Sequence, residues 1–391
     1  MNENKIEAKQ KFPMQPVAPL GVIAMRGCEE MGKRVNDFLM NWQVNTSDTS
    51  ELHSYFGSEA EGFLLKANCP RFGTGEGKGM LLDTVRGYDL YIICDVGAYQ
   101  CTYKLYGKEV PMTPDEHYAD LKRLIAAVSG KAHRINVIMP MLYEGRQHRR
   151  TARESMDCAL MLQELVGMGV ANIITFDAHD PRMMNAVPLM SFDNVMPTYQ
   201  VLKTLLRRMP ELNFDKDHFM VISPDEGAIE RNMYYSSVLG CNLGMFYKRR
   251  DYTRVVNGRN PIVAHEYLGE SVEGKTVFVT DDIISSGDSM LEVAQEMMSR
   301  GAKHVIANAT FPLFTTGLEK FDAAVQDGVL TAVLGTNLTY RTPELLERSW
   351  YFDVDCSKYI AYIIAAINHE MSISSLIDPI KKIEALLAKR K

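Results

Sequence analysis

Along the chain, short apolar runs that end in polar turns alternate with longer stretches whose apolar residues recur at helical spacing. The runs at 90–96, 136–141, 172–176, 219–223, 277–280 and 305–310 read as strands. The stretches at 114–128, 154–167 and 289–300 read as helices between them. Alternating strand and helix predicts an α/β architecture, a mostly parallel sheet with helices on both faces. In such sheets ligands bind beyond the carboxyl ends of the strands. The residues after each run are therefore the place to look for chemistry, and four endings carry it: YEGRQHRR (143–150), DAHDPR (177–182), PDEGAIER (224–231) and DDIISSGDSM (281–290).

A chain of 391 residues is too long for one ordinary core and predicts two domains. No low-complexity linker divides them; the weakest stretch is the polar, proline-bearing SFDNVMPTY at 191–199. The expected division is 1–195 and 196–391. The composition, 46% hydrophobic and 24% charged, is that of a globular protein. A net charge of −6 argues against bulk electrostatic binding to nucleic acid or to an anionic membrane. The N-terminal MNENKIEAKQKF lacks the apolar core of a signal peptide, and no run approaches the ~20 apolar residues of a membrane helix. The seven cysteines show no CxxC pair and no Cys/His cluster at zinc spacing, as expected of thiols in a reducing cytoplasm. The 24 methionines read as core filler.

The stretch VFVTDDIISSGDSM (277–290) is the most informative. A buried strand is followed at once by two adjacent carboxylates, a turn of small residues and a helix. Backbone N–H groups at a helix N-terminus accept a phosphate monoester without bringing a charge that must be desolvated. Ser285, Ser286, Gly287, Asp288 and Ser289 suit such a loop, with glycine allowing close approach and the hydroxyls adding donors. Asp281 and Asp282 carry the wrong charge for a phosphate but suit vicinal hydroxyls or a cation. Acids beside a phosphate loop describe a sugar phosphate. The alternative is an ordinary helix cap, which requires neither two acids nor five loop residues.

TDDIISSGDSM resembles the ribose-5-phosphate or phosphoribosyl diphosphate loop of the type I phosphoribosyltransferase fold. Other stretches narrow the resemblance to the ribose-phosphate pyrophosphokinase family, from about residue 65 to about 370. FGTGEGKGMLLDTVRGYDLYII (72–93) is similar to that family's nucleotide segment, F-S-D-G-E followed by V-R-G and a strand. YEGRQHRR resembles its Y-A-R-Q-D loop, DAHDP its D-L-H-A segment, and SPDEGAIER its S-P-D-x-G-G. YKRRDY (247–252) resembles the Lys-Arg-Arg start of its mobile catalytic loop. The resemblance implies two tandem phosphoribosyltransferase-like domains, each a mostly parallel sheet flanked by helices. It places ATP at Phe72, Thr74, Glu76, Arg146, Gln147 and His148. It places ribose 5-phosphate at Asp281, Asp282, Ser285, Ser286, Gly287, Asp288 and Ser289, magnesium at His179 and Asp225, and catalysis at Lys248 and Arg250. The implied activity is ATP-dependent diphosphoryl transfer to the anomeric hydroxyl of ribose 5-phosphate, with Mg²⁺, in a cytoplasmic homo-oligomer, dimer or hexamer, that binds neither nucleic acid nor membrane. The chain departs from the family pattern at Thr74 and His148, each in place of an acid, at Ser285 in place of Asp, and at Asp288 in place of Gly.

The chemistry can also be argued from the residues. Diphosphoryl transfer brings two polyanions together, so positioning and charge neutralisation dominate and little covalent work is left to the protein. Hard cations take oxygen ligands and waters, and Lys248 and Arg250 meet charge on transferring and departing oxygens. GTGEGKG (73–79) fits neither GxGxxG nor GxxxxGK[ST]. Two other readings stand beside the synthetase. A nucleobase phosphoribosyltransferase accounts for 277–290 but not for Arg146, Gln147 and His179. A non-catalytic, synthetase-like regulatory subunit would be expected to have lost Lys248, Asp225 or His179.

Overall fold

The computed structural model describes residues 15–44, 62–150, 153–250 and 262–388. The chain forms two compact units that change over between Met196 and Pro197. The first also takes Leu338–Tyr340 and Cys356–Asp378, while Arg341–Asp355 and the residues from Pro379 belong to the second. The division into 1–195 and 196–391 does not foresee this return. Among the described residues no helix is long and apolar enough to cross a membrane.

In the first unit five parallel strands lie side by side in chain order: β1 (Leu20–Ala24), β2 (Asp89–Ile93), β3 (Arg134–Ile138), β4 (Asn172–Phe176) and β5 (Ser191–Val195). One face, with Leu90, Ile92, Val137 and Ile173, packs on Leu121, Leu124 and Ile125 of α2 (Pro114–Val128) and on Leu162 and Leu165 of α3 (Asp157–Gly167). α2 starts where Thr113 and Glu116 form a reciprocal capping box with Pro114 in the first turn. The returning helix α8 (Ser357–Asn368) meets α1 (Glu29–Val44), with Trp42 stacked on Tyr362 at 4.4 Å, and Tyr359 lies edge-on to Phe176 of β4.

A buried polar cluster anchors α8 at the amino end of β2. The Asp89 carboxylate, wholly buried, accepts from Arg134 Nε and Nη2 at 2.8 Å, Asn136 Nδ2 at 2.8 Å and Asn368 Nδ2 at 3.0 Å. Burial alone would push this carboxyl up, but the donors from Arg134, Asn368 and Asn136 outweigh it and hold Asp89 below the usual range. A charge this deep is retained because every lone pair has a partner.

The second unit carries seven strands in the order β8-β7-β6-β9-β10-β11-β12. They are β6 (Phe219–Ser223), β7 (Asn242–Arg250), β8 (Ile262–Leu268), β9 (Thr276–Ile284), β10 (His304–Pro312), β11 (Ala332–Thr336) and β12 (Tyr351–Val354). All pair in parallel except β8, antiparallel to β7 at the edge. From β6 the chain goes to β7 on one side, and from β9 it goes to β10 on the other. The order therefore reverses between β6 and β9, where loops part and open a crevice at the carboxyl ends. Met220, Ile222, Val277, Val279 and Val305 pack on Met290, Val293 and Met297 of α6 (Asp288–Ser299). On the opposite face Tyr235 of α5 (Ile229–Leu239) meets Phe278 edge-on at 5.4 Å.

The polar stretch at 191–199 holds strand β5 (191–195) and the start of α4 (Thr198–Arg208), and the changeover between the units falls within it. As an edge strand β5 has one neighbour, so it needs fewer apolar residues than an inner strand. Two expectations are corrected. Asp281 and Asp282 do not follow β9 but lie within it, because β10 pairs alongside as far as Ile284↔Pro312. Lys248 and Arg250 stand on β7, opposite His265 and Ile262 of β8, rather than in a loop, with a register shift between Arg249 and Arg250. The residues expected to continue that loop, 251–261, lie outside the described residues.

Candidate active site

In the first unit the predicted nucleotide-side residues sit on loops at the carboxyl end of the sheet and on one separate turn. After β3 the chain folds back at 142–147, where Gly145 N donates to Leu142 O and Gln147 N to Glu144 O. The Gln147 side chain donates to Ser155 O at 2.9 Å, so it braces its own loop. After β4, Asp177 takes φ 44°, a backbone state uncommon for a side-chain-bearing residue, and Ala178 N donates to Asn194 Oδ1 at 2.9 Å. This turn brings His179 to His148, with ring centroids 5.3 Å apart. His148 Nε2 lies 3.5 Å from Asp180 Oδ2, and Arg182 binds the same carboxylate at 2.6 Å. Hydrogen bonds from Arg182 hold Asp180 low, at about 2, whereas burial lowers the His148 imidazole against the pull of Asp180.

Phe72, Thr74 and Glu76 share the separate turn. Phe72 N donates to Glu76 O at 2.7 Å, and Thr74 Oγ1 to Glu76 Oε2 at 3.0 Å. Phe72 is 57% exposed, a large apolar ring held on a turn that does not bury it. The turn is anchored by Arg71, whose guanidinium makes a buried two-point contact with Asp120 of α2 at 2.6 and 2.8 Å.

In the second unit the crevice between β6 and β9 gathers three carboxylates. Asp225 Oδ1 accepts from Gly227 N and Ala228 N at 3.0 and 3.2 Å, and so orients the start of α5. Asp281 Oδ1 lies 3.4 Å from Arg231 Nη1. Beyond the end of β6, Asp282 N and Ile283 N donate to the carboxylates of Asp281 and Asp282 at 2.9 and 3.0 Å, replacing the strand partner that is no longer there. Burial, then the adjacent Asp282, push the Asp281 carboxyl well up, while Arg231 draws it down. Such a pair is receptive to a cation or to hydroxyl donors. Asn232 on α5 ties the crevice floor together, donating to Thr280 O at 2.9 Å and Ala228 O at 2.8 Å.

Ser285–Ser289 turn directly from β9 into α6. The bond from Leu291 N to Gly287 O opens the helix, so the N–H groups of 288–290 lack intrahelical acceptors; Asp288 N donates to Ser286 Oγ at 3.5 Å. Gly287 has φ 82°, and a Cβ there would meet the Phe321 ring at 2.3 Å. The residues at 315–316 back the loop: Thr315 N donates to Ser285 O at 3.0 Å, and Thr316 Oγ1 to Ser286 O at 3.4 Å. Lys320 on α7 (Glu319–Gln326) forms an ion pair with Asp288 at 2.5 Å. Arg231, Asn232, Thr315, Thr316 and Lys320 are thus parts of this site that sequence reasoning did not assign. Only Arg231, in the same short motif as Asp225, had a local signal.

Comparison with known proteins finds relatives of both units. Residues 21–169 match the family model for the N-terminal domain of ribose phosphate pyrophosphokinase, and residues 192–313 match that of the phosphoribosyl transferase domain. The chain belongs to the ribose-phosphate pyrophosphokinase family. Among its relatives, the ribose-phosphate pyrophosphokinase of Thermosipho africanus is 28% identical over 283 residues, 71% of this chain and 79% of the relative. That of Vibrio parahaemolyticus is 26% identical over 321 residues, 81% and 92% respectively. The crystal structure of phosphoribosylpyrophosphate synthetase from Mycobacterium smegmatis superimposes with a TM-score of 0.70 at 19% identity, covering 89% of this chain and 98% of that one. That likeness extends over most of this chain, whose fold is two phosphoribosyltransferase-like units.

Proposed function

We propose that the protein is a ribose-phosphate diphosphokinase, making phosphoribosyl diphosphate and AMP from ribose 5-phosphate and ATP. One observation carries the assignment: at the strand-order reversal, β9 carries the Asp281–Asp282 pair near its end, stops at Ile284 and leads directly into the Ser285–Ser289 turn at the start of α6. Acids for ring hydroxyls and helix N-terminal N–H groups for a phosphate are thereby set side by side. A nucleobase phosphoribosyltransferase shares that loop but leaves the match at 21–169 unexplained.

In this reading Asp281 and Asp282 accept from the ribose hydroxyls, and the loop holds the 5-phosphate. The anomeric oxygen attacks the β-phosphorus of ATP, and the bond from that phosphorus to the oxygen bridging to the α-phosphate breaks. AMP departs with that oxygen, and the proton of the attacking hydroxyl is released. Phe72 offers a face to the base, with Thr74 and Glu76 on the same turn; Arg146, Gln147 and His148 lie along the nucleotide. Lys248 and Arg250 neutralise charge on the transferring and departing oxygens.

The carboxylate oxygens of Asp225 and its neighbours are hard donors and suit Mg²⁺, which prefers oxygen, keeps several waters and travels with substrate phosphates. Asp225 and His179 are the residues we assign to it, and when bound it supplies positive charge at the phosphates. The test is direct: purified protein, Mg²⁺, ATP and ribose 5-phosphate, followed by phosphorus NMR. Stoichiometric AMP and phosphoribosyl diphosphate are expected. ADP as the nucleotide product, or no reaction in the folded protein, would defeat the assignment.

A further inference from the structure

The ribose-phosphate loop contains a residue that ought to impede it. Asp288 opens α6, where its carboxylate is drawn to the same helix terminus that would hold the 5-phosphate. Two anions cannot share that position without repulsion. The structure supplies a counterweight from outside the loop: Lys320 Nζ lies 2.5 Å from Asp288 Oδ1, and this contact holds the Asp288 carboxyl below its usual range. The placement of Lys320 is determined by packing. The next residue, Phe321, is fully buried against Phe314 and Trp350 and fills the space left by the missing side chain of Gly287. Thr315 and Thr316 bond the same segment to Ser285 and Ser286. The start of α7 is therefore built onto the loop, and Lys320 is carried with it.

We propose that Lys320 is a positioning residue of the ribose-phosphate site, holding the Asp288 carboxylate aside and cancelling its charge so that a phosphate dianion can enter. The proposal rests on the reading of this loop given above. The effect is one of charge: with Lys320 removed, the Asp288 carboxylate would turn to the N-terminal end of α6 and compete with the phosphate for it.

Lys320→Ala should raise KM for ribose 5-phosphate about tenfold, with kcat and KM for ATP within about twofold, because the repulsion acts on substrate binding alone. Lys320→Arg should restore the wild-type KM. Asp288→Gly placed in the Lys320→Ala protein should also restore it, an outcome that a direct contact between Lys320 and phosphate would not produce. Melting curves on all four proteins establish that each is folded. A Lys320→Ala protein with unchanged KM, or a double variant as impaired as the single one, overturns the proposal while wild-type protein still binds ribose 5-phosphate in calorimetry. Wild-type protein that binds none overturns the reading of the loop, and this proposal with it.

Discussion

Replacing Gly287 by alanine separates two costs that the structure allows to be worked out. The backbone there has φ 82°, and placing a side chain in the left-handed region costs about 1–2 kcal/mol. The new Cβ would also stand 2.3 and 2.4 Å from two Phe321 ring atoms. That ring is fully buried, 4.8 Å from the centre of Phe314 and 6.0 Å from Trp350, so it cannot swing into solvent. Overpacking of this kind costs a further ~1–3 kcal/mol. Gly274 is the control: its φ is 72°, but nothing lies within 4 Å of an added Cβ, so alanine there meets only the backbone cost. Differential scanning calorimetry on both variants should show Gly287→Ala melting lower than Gly274→Ala. For a unit of this size the steric term corresponds to roughly 2–12 °C. Gly287→Ala should also raise KM for ribose 5-phosphate, since the cradle shifts with it. If the two variants melt together, the close packing of α7 on the loop is wrong.

Asp281→Ala should weaken ribose 5-phosphate binding by roughly 1.5–3 kcal/mol in calorimetry, the worth of hydrogen bonds to a charged acceptor, with ATP binding retained. Lys248→Ala should lower kcat about a hundredfold or more, about 3 kcal/mol of transition-state stabilisation, while substrate dissociation constants change by no more than a few-fold; steady-state kinetics beside a melting curve decide it. Asp89 supplies a pH dependence. Its carboxyl is held low in the folded protein, so its stabilisation is complete above the unfolded carboxylate value of about 3.9 and is lost as pH falls through the lower folded value. Asp89→Asn should therefore melt lower than wild type near neutrality, and the gap should narrow below about pH 4; a gap independent of pH would contradict the assignment.

Periodicity located what was locally encoded. The runs at 172–176 and 219–223 coincide with β4 and β6, and 114–128 coincides with α2, whose Thr113, Pro114 and Glu116 announce its start. The order of loaded strand endings was legible for the same reason, since a parallel sheet collects them at one end. What escaped depended on partners distant in sequence. Ser191–Val195 is too polar to stand out because it has a single neighbour. The acids of β9 look like loop residues until β10 is known to run alongside them. The helix SKYIAYIIAAIN (357–368) is apolar around most of its circumference, which signals burial on several sides but not against which unit. Lys320 and Thr315 join the phosphate loop only through the packing of α7, about thirty residues downstream.

Transfer of a diphosphoryl group to the anomeric hydroxyl can be checked by following an oxygen atom. Ribose 5-phosphate carrying ¹⁸O at the anomeric position is mixed with protein, Mg²⁺ and ATP for a time short against exchange with water. Phosphorus NMR then reads the isotope shift of the product. The label should be kept between the anomeric carbon and the first phosphorus of phosphoribosyl diphosphate, with unlabelled AMP formed in equal amount. Label appearing in AMP, or a product that has lost it while the starting sugar has not, would contradict it.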